Sequence, residues 1–538
     1  MTVIDVGDQA LAIDVEAPDT ASRLAAVRSI ADTVAAAGLL GVTDVVASPG
    51  RVTVVYDPLR ADHAALRADL ATLAVARIAP PSTGGGSRHE LPVCYGDDLG
   101  PDLEDVCASR GLDRAGFVSR HTDPDYIVEA IGFLPGFGYL AGLPATLATP
   151  RKATPRRVVP AGSVGIGGGQ TGAYPCASPG GWNLVGTTPA RLFDVSWSRP
   201  ALLAVGDTVR FVAIDRGEFE RSRAGAVATG GDVEAAAAGL VVVKPGLFTT
   251  IQDLGRPGHR AAGVPLSGAA DPSSLRHANR LVGNDDSAAG LEITLLGPDL
   301  RCERDTLIAL SGAAFPGMPG GVPVQVRAGE TLAVGHATAG CRGYLAVAGG
   351  IEVPRVLGSR STFVPAGLGG LRGLPLAAGD RLPVGDARAG ESRVGQPAPL
   401  ATAWQAGKPV ALRMVPGEQF ERVGDAIWSA EHTASSRSDR MGTRLDGTPL
   451  GDGDVAGLAR SVAVLPGTVQ LPPDGRPIIL LADAQTIGGY PVIGHVIAAD
   501  LPLVAQLRPG DAVRWRPATI DEAHRALRDQ GRDEGWTS

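Results

Sequence analysis

A compound motif occurs twice, once in each half of the chain, and it constrains the fold more than any other feature. The first copy reads GSVGIGGGQTGAYP (Gly162 to Pro175) followed by GDTVRF (Gly206 to Phe211). The second reads GTVQLPPDG (Gly467 to Gly475), QTIGGYP (Gln485 to Pro491) and GDAVRW (Gly510 to Trp515). Each opens as a Gly-(Ser/Thr)-Val strand, passes through Gln-Thr, glycine and Tyr-Pro, and closes on a Gly-Asp turn into Val-Arg-aromatic. The spacings differ between copies, which excludes a tandem array of small repeats. One ancestral β-domain used twice is the expectation, with Gln170-Thr171 matched to Gln485-Thr486.

At 538 residues the chain exceeds a single core. Its 73 glycines, 42 prolines and 4% aromatics suit short strands joined by tight turns. A net charge of −8 with no basic stripe argues against a nucleic-acid partner. None of the three lysines (Lys152, Lys244, Lys408) sits in a Walker-type loop or a Met-Lys-Met setting, which leaves no P-loop and no biotin attachment site. Five scattered cysteines form neither a disulfide framework nor a zinc pattern. The N-terminus lacks a signal-peptide pattern and no run reaches the roughly 20 apolar residues of a membrane span, so a cytoplasmic location without a membrane partner is expected.

The pattern divides into an α+β unit at 1–80, a first β-barrel domain at 88–220 interrupted by one helix near Leu103 to Arg110, a linker at 221–239, a β domain at 240–395, a second barrel domain at 404–518 and, at 519–538, a short polar helix and tail, partly frayed. Thr20 is placed to cap the first helix and Gly38 to end it. The fold class expected is mainly β with α+β parts.

Four stretches concentrate polar, glycine and aromatic residues. In His121 to Pro144, Phe133, Gly136 and Tyr139 could line a turn against a planar ligand, or close an aromatic corner. His121 is either a general acid or base or a hydrogen-bonded structural histidine. In Pro155 to Gly186, Gly168, Gln170, Thr171 and Tyr174 belong to a Gly-rich bend that could cradle an anion, with Arg156 upstream. In Thr249 to Asn284, Gln252, Asp253 and Arg256 share one loop whose carboxylate and guanidinium suit Mg²⁺ and a transferring phosphoryl group. Asp271 reads as a helix cap or a catalytic group. The fourth stretch joins Arg440 to Asp483, Gln485, Thr486 and Tyr490, with surface ion pairing as its alternative. One composite site is expected, combining Gln170–Tyr174 with Gln252, Asp253 and Arg256.

These motifs carry a resemblance. Residues 90–215, through GFLPGFGYL, PAGSVGIGGGQTGAYP, SPGGW and GDTVRF, resemble the allophanate hydrolase subunit 1 family. Residues 240–518, through IQDLGRPG, SGAAD, LEITLLGP, LAVAGGI, GSRSTF, SDRMGTRLDG, QTIGGYP and GDAVRW, resemble the subunit 2 family. The resemblance implies cyclophilin-like barrels and a fusion similar to the B and C components of the bacterial ATP-dependent 5-oxoprolinase. It further implies ATP and Mg²⁺ as cofactors, a small amide such as 5-oxoproline as substrate, a separate A-type (LamB/YcsF-like) subunit as partner, and self-association into a homo-oligomer. Catalytic roles would fall on His121, Asp253, Arg256, Asp271, Arg440 and Asp483. Two rival expectations are a carboxyltransferase-like component of a biotin-dependent system and a regulatory protein of the histidine-kinase-inhibitor type. The chain departs from the family pattern at Val462 and Ala484, where a carboxylate and a guanidinium are usual.

Overall fold

The computed structural model describes residues 1–76, 86–224, 239–387, 408–451 and 460–535. The expected linkers fall largely outside those residues. The protein is mostly β, with two closed seven-stranded barrels and few helices.

The N-terminal domain is a four-stranded antiparallel sheet, Thr2–Asp5, Ala10–Asp14, Val42–Ser48 and Arg51–Tyr56, covered by two helices. Alternation along the strands buries Leu11, Ile13, Val52 and Val54 beneath Leu24, Val27, Ile30 and Val34, which recur at helical spacing along Thr20–Ala36. The cap of that helix is Asp19, one residue before the expected Thr20, and it accepts from Ser22 N at 2.8 Å.

The first barrel contains β1 (Arg88–Tyr95), β2 (Tyr126–Ile131), β3 (Gly138–Ala141), β4 (Ser163–Gly167), β5 (Gln170–Ala173), β6 (Asn183–Thr187) and β7 (Thr208–Ala213). The second contains β8 (Val410–Pro416), β9 (His432–Ala434), β10 (Gly442–Gly447), β11 (Thr468–Gln470), β12 (Ile478–Leu480), β13 (Val492–Val496) and β14 (Ala512–Pro517). The first closes in the order β5-β3-β2-β7-β1-β6-β4 and the second in the order β12-β10-β9-β14-β8-β13-β11. Strand n of one barrel therefore matches strand n + 7 of the other. Both also pair their first and last strands in parallel, β1 with β7 and β8 with β14. The duplication read from the sequence is a duplication of topology.

The register of the motifs differs from the expectation. Gly162 N donates to Tyr174 O at 2.7 Å, and Gly467 N donates to Leu480 O at 2.8 Å, which matches Tyr174 to Leu480. Gln170-Thr171 thus belongs to β5, whereas Gln485-Thr486 lies beyond the corresponding β12. The partner of Gln485–Pro491 in the first copy is the SPGGW segment. Ser178–Gly180 pairs with Arg156–Val159, and Ile487–Gly488 pairs with Val462–Ala463, as the same small two-stranded sheet added to each barrel.

Between the barrels in sequence lies a domain of a four-stranded and a five-stranded sheet that share one core, including Leu240, Leu291, Ile293, Leu300, Leu310 and Leu345. Helix Pro272–Leu281 packs Ala278 and Leu281 against Ala309 and Ala346 of the five-stranded sheet. Two further corrections concern helices. The first barrel carries two, Leu103–Arg110 and Arg114–Thr122, where one was expected. The C-terminal helix Ile520–Asp533 is docked rather than frayed: Thr519 and Glu522 form a capping box, and His524 Nε2 donates to Asp8 O at 2.8 Å.

Candidate functional site

The segment from Asp253 to Asp271 leaves strand Phe248–Gln252, ends at helix Pro272–Leu281 and forms a wedge between the two barrels. On one side Gly136 N, in the connection between β2 and β3, donates to Ala262 O at 2.8 Å. A Cβ on Gly263 (φ +77°) would lie 2.5 Å from Leu134 O, so this approach requires glycine. On the other side Ser267 N donates to Ala482 O at 2.9 Å, just past β12, and Arg440 Nη2 donates to Gly268 O at 2.6 Å from the connection between β9 and β10. The equivalent β2–β3 and β9–β10 connections thus grip one wedge. The barrels also meet directly, because a Cβ on Gly132 would lie 2.4 Å from Ile487 Cγ1.

A buried ionic network occupies the second-barrel side. Arg440 donates from Nε to Asp483 Oδ2 at 2.8 Å and from Nη2 to Asp483 Oδ1 at 3.0 Å, and it pairs through Nη1 with Glu292. Burial opposes the charge on Arg440, but Asp483 and Glu292 outweigh it and hold the guanidinium well above its ordinary pKa. Burial likewise would raise the Glu292 carboxyl, yet Arg440 and Arg342 hold it below the usual value. Ser267 Oγ donates to Asp483 Oδ1 at 2.7 Å, and Tyr344 OH donates to Glu292 Oε2 at 2.9 Å. Ser267 has φ +54°, a strained conformation for a non-glycine residue. These groups form a buried network, not the surface pairing considered as the alternative for Arg440 and Asp483.

Arg256 is the outstanding group of the wedge. It is 1% exposed, donates through Nη2 to Ser361 O, and leaves Nε and Nη1 buried without partners. Burial lowers its pKa, and among the described residues no carboxylate stands within ion-pair distance. The expected Asp253–Arg256 pair is therefore absent. Asp253 instead accepts from Ser359 Oγ (2.6 Å), Arg360 N (2.6 Å), Gly255 N (2.8 Å) and Ser361 Oγ, which leaves it a loop-holding residue. Gln252 donates to Thr250 Oγ1 and Thr362 O, at 3.0 and 3.1 Å, while its Oε1 has no partner. Buried donors and an acceptor without partners, in neighbouring parts of one loop system, suit a polar ligand.

Other expected residues fall elsewhere. His121 lies inside the first barrel, bonded to Tyr95 OH at 2.8 Å and Thr171 Oγ1 at 3.0 Å, with its ring stacked 4.6 Å from that of Phe211. Burial pushes its pKa down to about 3, and the neutral ring is a structural element rather than an acid or base open to substrate. Asp271 caps helix Pro272–Leu281 by accepting from Ser274 N at 3.0 Å, and Gln506 Nε2 also donates to it at 2.9 Å. Gly168 turns the β4–β5 hairpin and spends its N–H on Thr149 O at 2.8 Å, so the Gly-rich bend is a hairpin and not an anion nest. Arg156 is held on Asp102 at 2.7 Å, beside Lys152. Gln170 is hydrogen-bonded to Glu129 on the first barrel. Phe133, Tyr139 and Tyr174 join Phe137 and Trp182 in an aromatic cluster, the aromatic-corner alternative. The first half thus reaches the wedge through Gly136 and its neighbours and not through Gln170.

In the second barrel Thr486 is buried with an unpartnered Oγ1, Gln485 is half-buried and Tyr490 is exposed. Val462 pairs with Gly488 in the small sheet, and Ala484 packs with Val464, Leu480 and Val492. Both departures are absorbed by apolar or backbone contacts and leave the Arg440 network intact. Glu292, Ser267 and Tyr344 were not singled out from the sequence. Only the polar Glu292 inside the apolar strand GLEIT hinted at a buried charge.

Comparison with known proteins agrees with this fold. Residues 1–203 match the family described as carboxyltransferase domain, subdomain C and D, and residues 262–517 match carboxyltransferase domain, subdomain A and B. The chain is 40% identical over 303 residues to the C component of 5-oxoprolinase from Escherichia coli strain K12, covering 54% of this chain and 96% of that one. It is 54% identical over 127 residues to the B component of 5-oxoprolinase from Haemophilus influenzae, covering 24% of this chain and 60% of that one. The crystal structure of TTHA0988 superposes with a TM-score of 0.80 at 34% identity, over 94% of this chain and 99% of the other.

Proposed function

This chain belongs to the carboxyltransferase-domain family as a fusion of homologues of the B and C components of 5-oxoprolinase, and from that membership we propose that it is the ATP-dependent activation component of a 5-oxoprolinase-like complex. In this reading the lactam oxygen of 5-oxoproline, or of a similar small amide, attacks the γ-phosphorus of ATP. An O–P bond forms as the bond to ADP breaks; with a separate A-type subunit, one water then adds to the activated carbon as the C–N bond breaks, and a second releases inorganic phosphate to leave glutamate. An amide is resonance-stabilised and its oxygen is a poor leaving group until it is phosphorylated, so the task is positioning and charge stabilisation.

The observation that carries the reading is Arg256, a buried guanidinium whose Nε and Nη1 have no hydrogen-bond partner and which has no carboxylate within ion-pair distance among the described residues, in a wedge held by both halves of the fusion. A transferring phosphoryl group supplies the oxyanion that such a group lacks. Mg²⁺ has a different fit. Asp253, Asp271, Asp483 and Glu292 all accept protein hydrogen bonds, and no group of three or more His, Cys, Asp or Glu among the described residues is arranged for a metal. In this reading these carboxylates would not hold Mg²⁺, which would have to come with the triphosphate.

The test is ADP release from the chain mixed with its A-type subunit, with and without 5-oxoproline. The expected result is release that requires 5-oxoproline, with glutamate formed only when both proteins are present. Arg256→Ala should lower kcat at least about tenfold, a loss of about 1.4 kcal/mol of transition-state stabilisation. Gln170→Ala, away from the wedge, should change it less than about twofold on the same scale. Turnover that ignores 5-oxoproline but needs a carboxylated biotin would replace this reading with carboxyl transfer.

A further inference from the structure

Behind the wedge lies a cavity of about 320 Å³ whose walls come from the N-terminal domain, the two-sheet domain that lies between the barrels in sequence, the second barrel and the C-terminal helix. None of the candidate site residues expected from the sequence lines it.

Arg260 projects from the wedge into this cavity and is 4% exposed. Its side chain donates one hydrogen bond, Nη1 to Val464 O at 3.1 Å, and has no carboxylate within ion-pair distance among the described residues. Asp44, the acid that acts on it, spends its two oxygens on Gly258 N at 3.1 Å and Arg260 N at 2.9 Å. A guanidinium cannot relieve burial by losing its proton, so it remains a cation awaiting an anion. Helix Pro272–Leu281 begins at the same wall, through Pro272 and Ser273. Asp57 and Arg276 also line the cavity. A second unmet group is Gln530 on the C-terminal helix. Its Nε2 donates to Ser273 Oγ at 3.3 Å and Glu534 Oε1 at 3.1 Å, while its Oε1 is buried without a donor.

We propose that this cavity binds a small carboxylic acid bearing an amide N–H, with the carboxylate on Arg260 and the N–H on Gln530 Oε1. A lactam acid has both groups on a small frame. Its choice as ligand rests on the function proposed above, whereas the anion site stands on Arg260 alone.

Calorimetric titration of the intact chain tests this with three probes: 5-oxoproline, the neutral lactam pyrrolidin-2-one, and inorganic phosphate. Saturable binding of 5-oxoproline, weaker binding of phosphate and none of pyrrolidin-2-one is expected. Arg260→Met should weaken 5-oxoproline at least about tenfold, since a charge-assisted bidentate contact is lost. Gln530→Leu, on a docked surface helix, should weaken 5-oxoproline several-fold and leave phosphate unchanged. Binding of phosphate without 5-oxoproline would overturn the lactam-acid assignment. Absence of binding by either anion, or undiminished binding in both variants, would overturn the site itself. Retained binding with no 5-oxoproline-dependent ADP release would sink the proposed function and leave the site standing.

Discussion

At the edge that grips the wedge, the first barrel carries Phe133, Phe137, Tyr174 and Trp182, and the second carries Arg440 and Asp483 with Glu292 beside them. Strand order and the parallel closing pair are the same in both. Closure of a seven-stranded barrel leaves little freedom in strand order, because each strand must satisfy its hydrogen bonds on both sides. The connections carry no such constraint and have diverged, one into an apolar cluster and the other into an ionic network. The aromatic edge meets the wedge through backbone, with Gly136 N on Ala262 O and Leu134 O against Gly263. The charged edge holds it by matched charge and brings those charges close to Arg256.

The comparison is broken most directly at Arg440. Arg440→Met leaves Asp483 buried without its cation and Glu292 with Arg342 alone, and breaking a buried ion pair in this way costs about 3–5 kcal/mol. Chemical denaturation of the variant should show that loss, with the mid-point moving and the slope unchanged. In the first barrel, Phe137→Leu changes shape without stranding a charge and should cost under about 1.5 kcal/mol. Equal losses in the two variants would mean that the edges differ in composition but not in how they hold the wedge.

The repeated glycine-led turns were the legible part of the fold. Gly162 and Gly467 both open a strand with positive φ, and Gly206-Asp207 and Gly510-Asp511 both lead into the last strand. These positions need a backbone conformation that few residues supply, so they persist as sequence signals. Gln170-Thr171 and Gln485-Thr486 misled because neither pair is required by the backbone. One lies in a strand and the other beyond it. At the candidate site, residue types singled out Arg256, Arg440 and Asp483, which the fold brings to one wedge. Their partners were hidden by distance: Arg440 meets Glu292 across 148 positions, and Ser267 meets Asp483 across 216. Asp253 and Arg256 show the opposite failure. They are close in the chain, yet Asp253 turns to Ser359 and Ser361 while Arg256 turns to the carbonyl of Ser361.

The smallest expected difference concerns one buried histidine in each barrel, His121 and His495. Burial pushes His121 of the first barrel down to about 3 and His495 of the second down to about 4. Each is therefore neutral in the folded chain at pH 6, whereas the unfolded histidine, with a pKa near 6.5, takes up protons there. The unfolded state binds more protons, so stability falls as the pH drops from 8 to 6, by about 0.8 kcal/mol for each residue. Asp8 works in the other direction. Burial raises its carboxyl to about 6, so the folded chain takes up protons over the same interval and gains about 0.4 kcal/mol. Measured by denaturation at the two pH values, His121→Gln and His495→Gln should each shrink the loss by a similar amount, and Asp8→Asn should enlarge it. An unchanged loss in His121→Gln alone would show that the two barrels bury their histidines in different protonation states, extending their divergence from the connections into the cores.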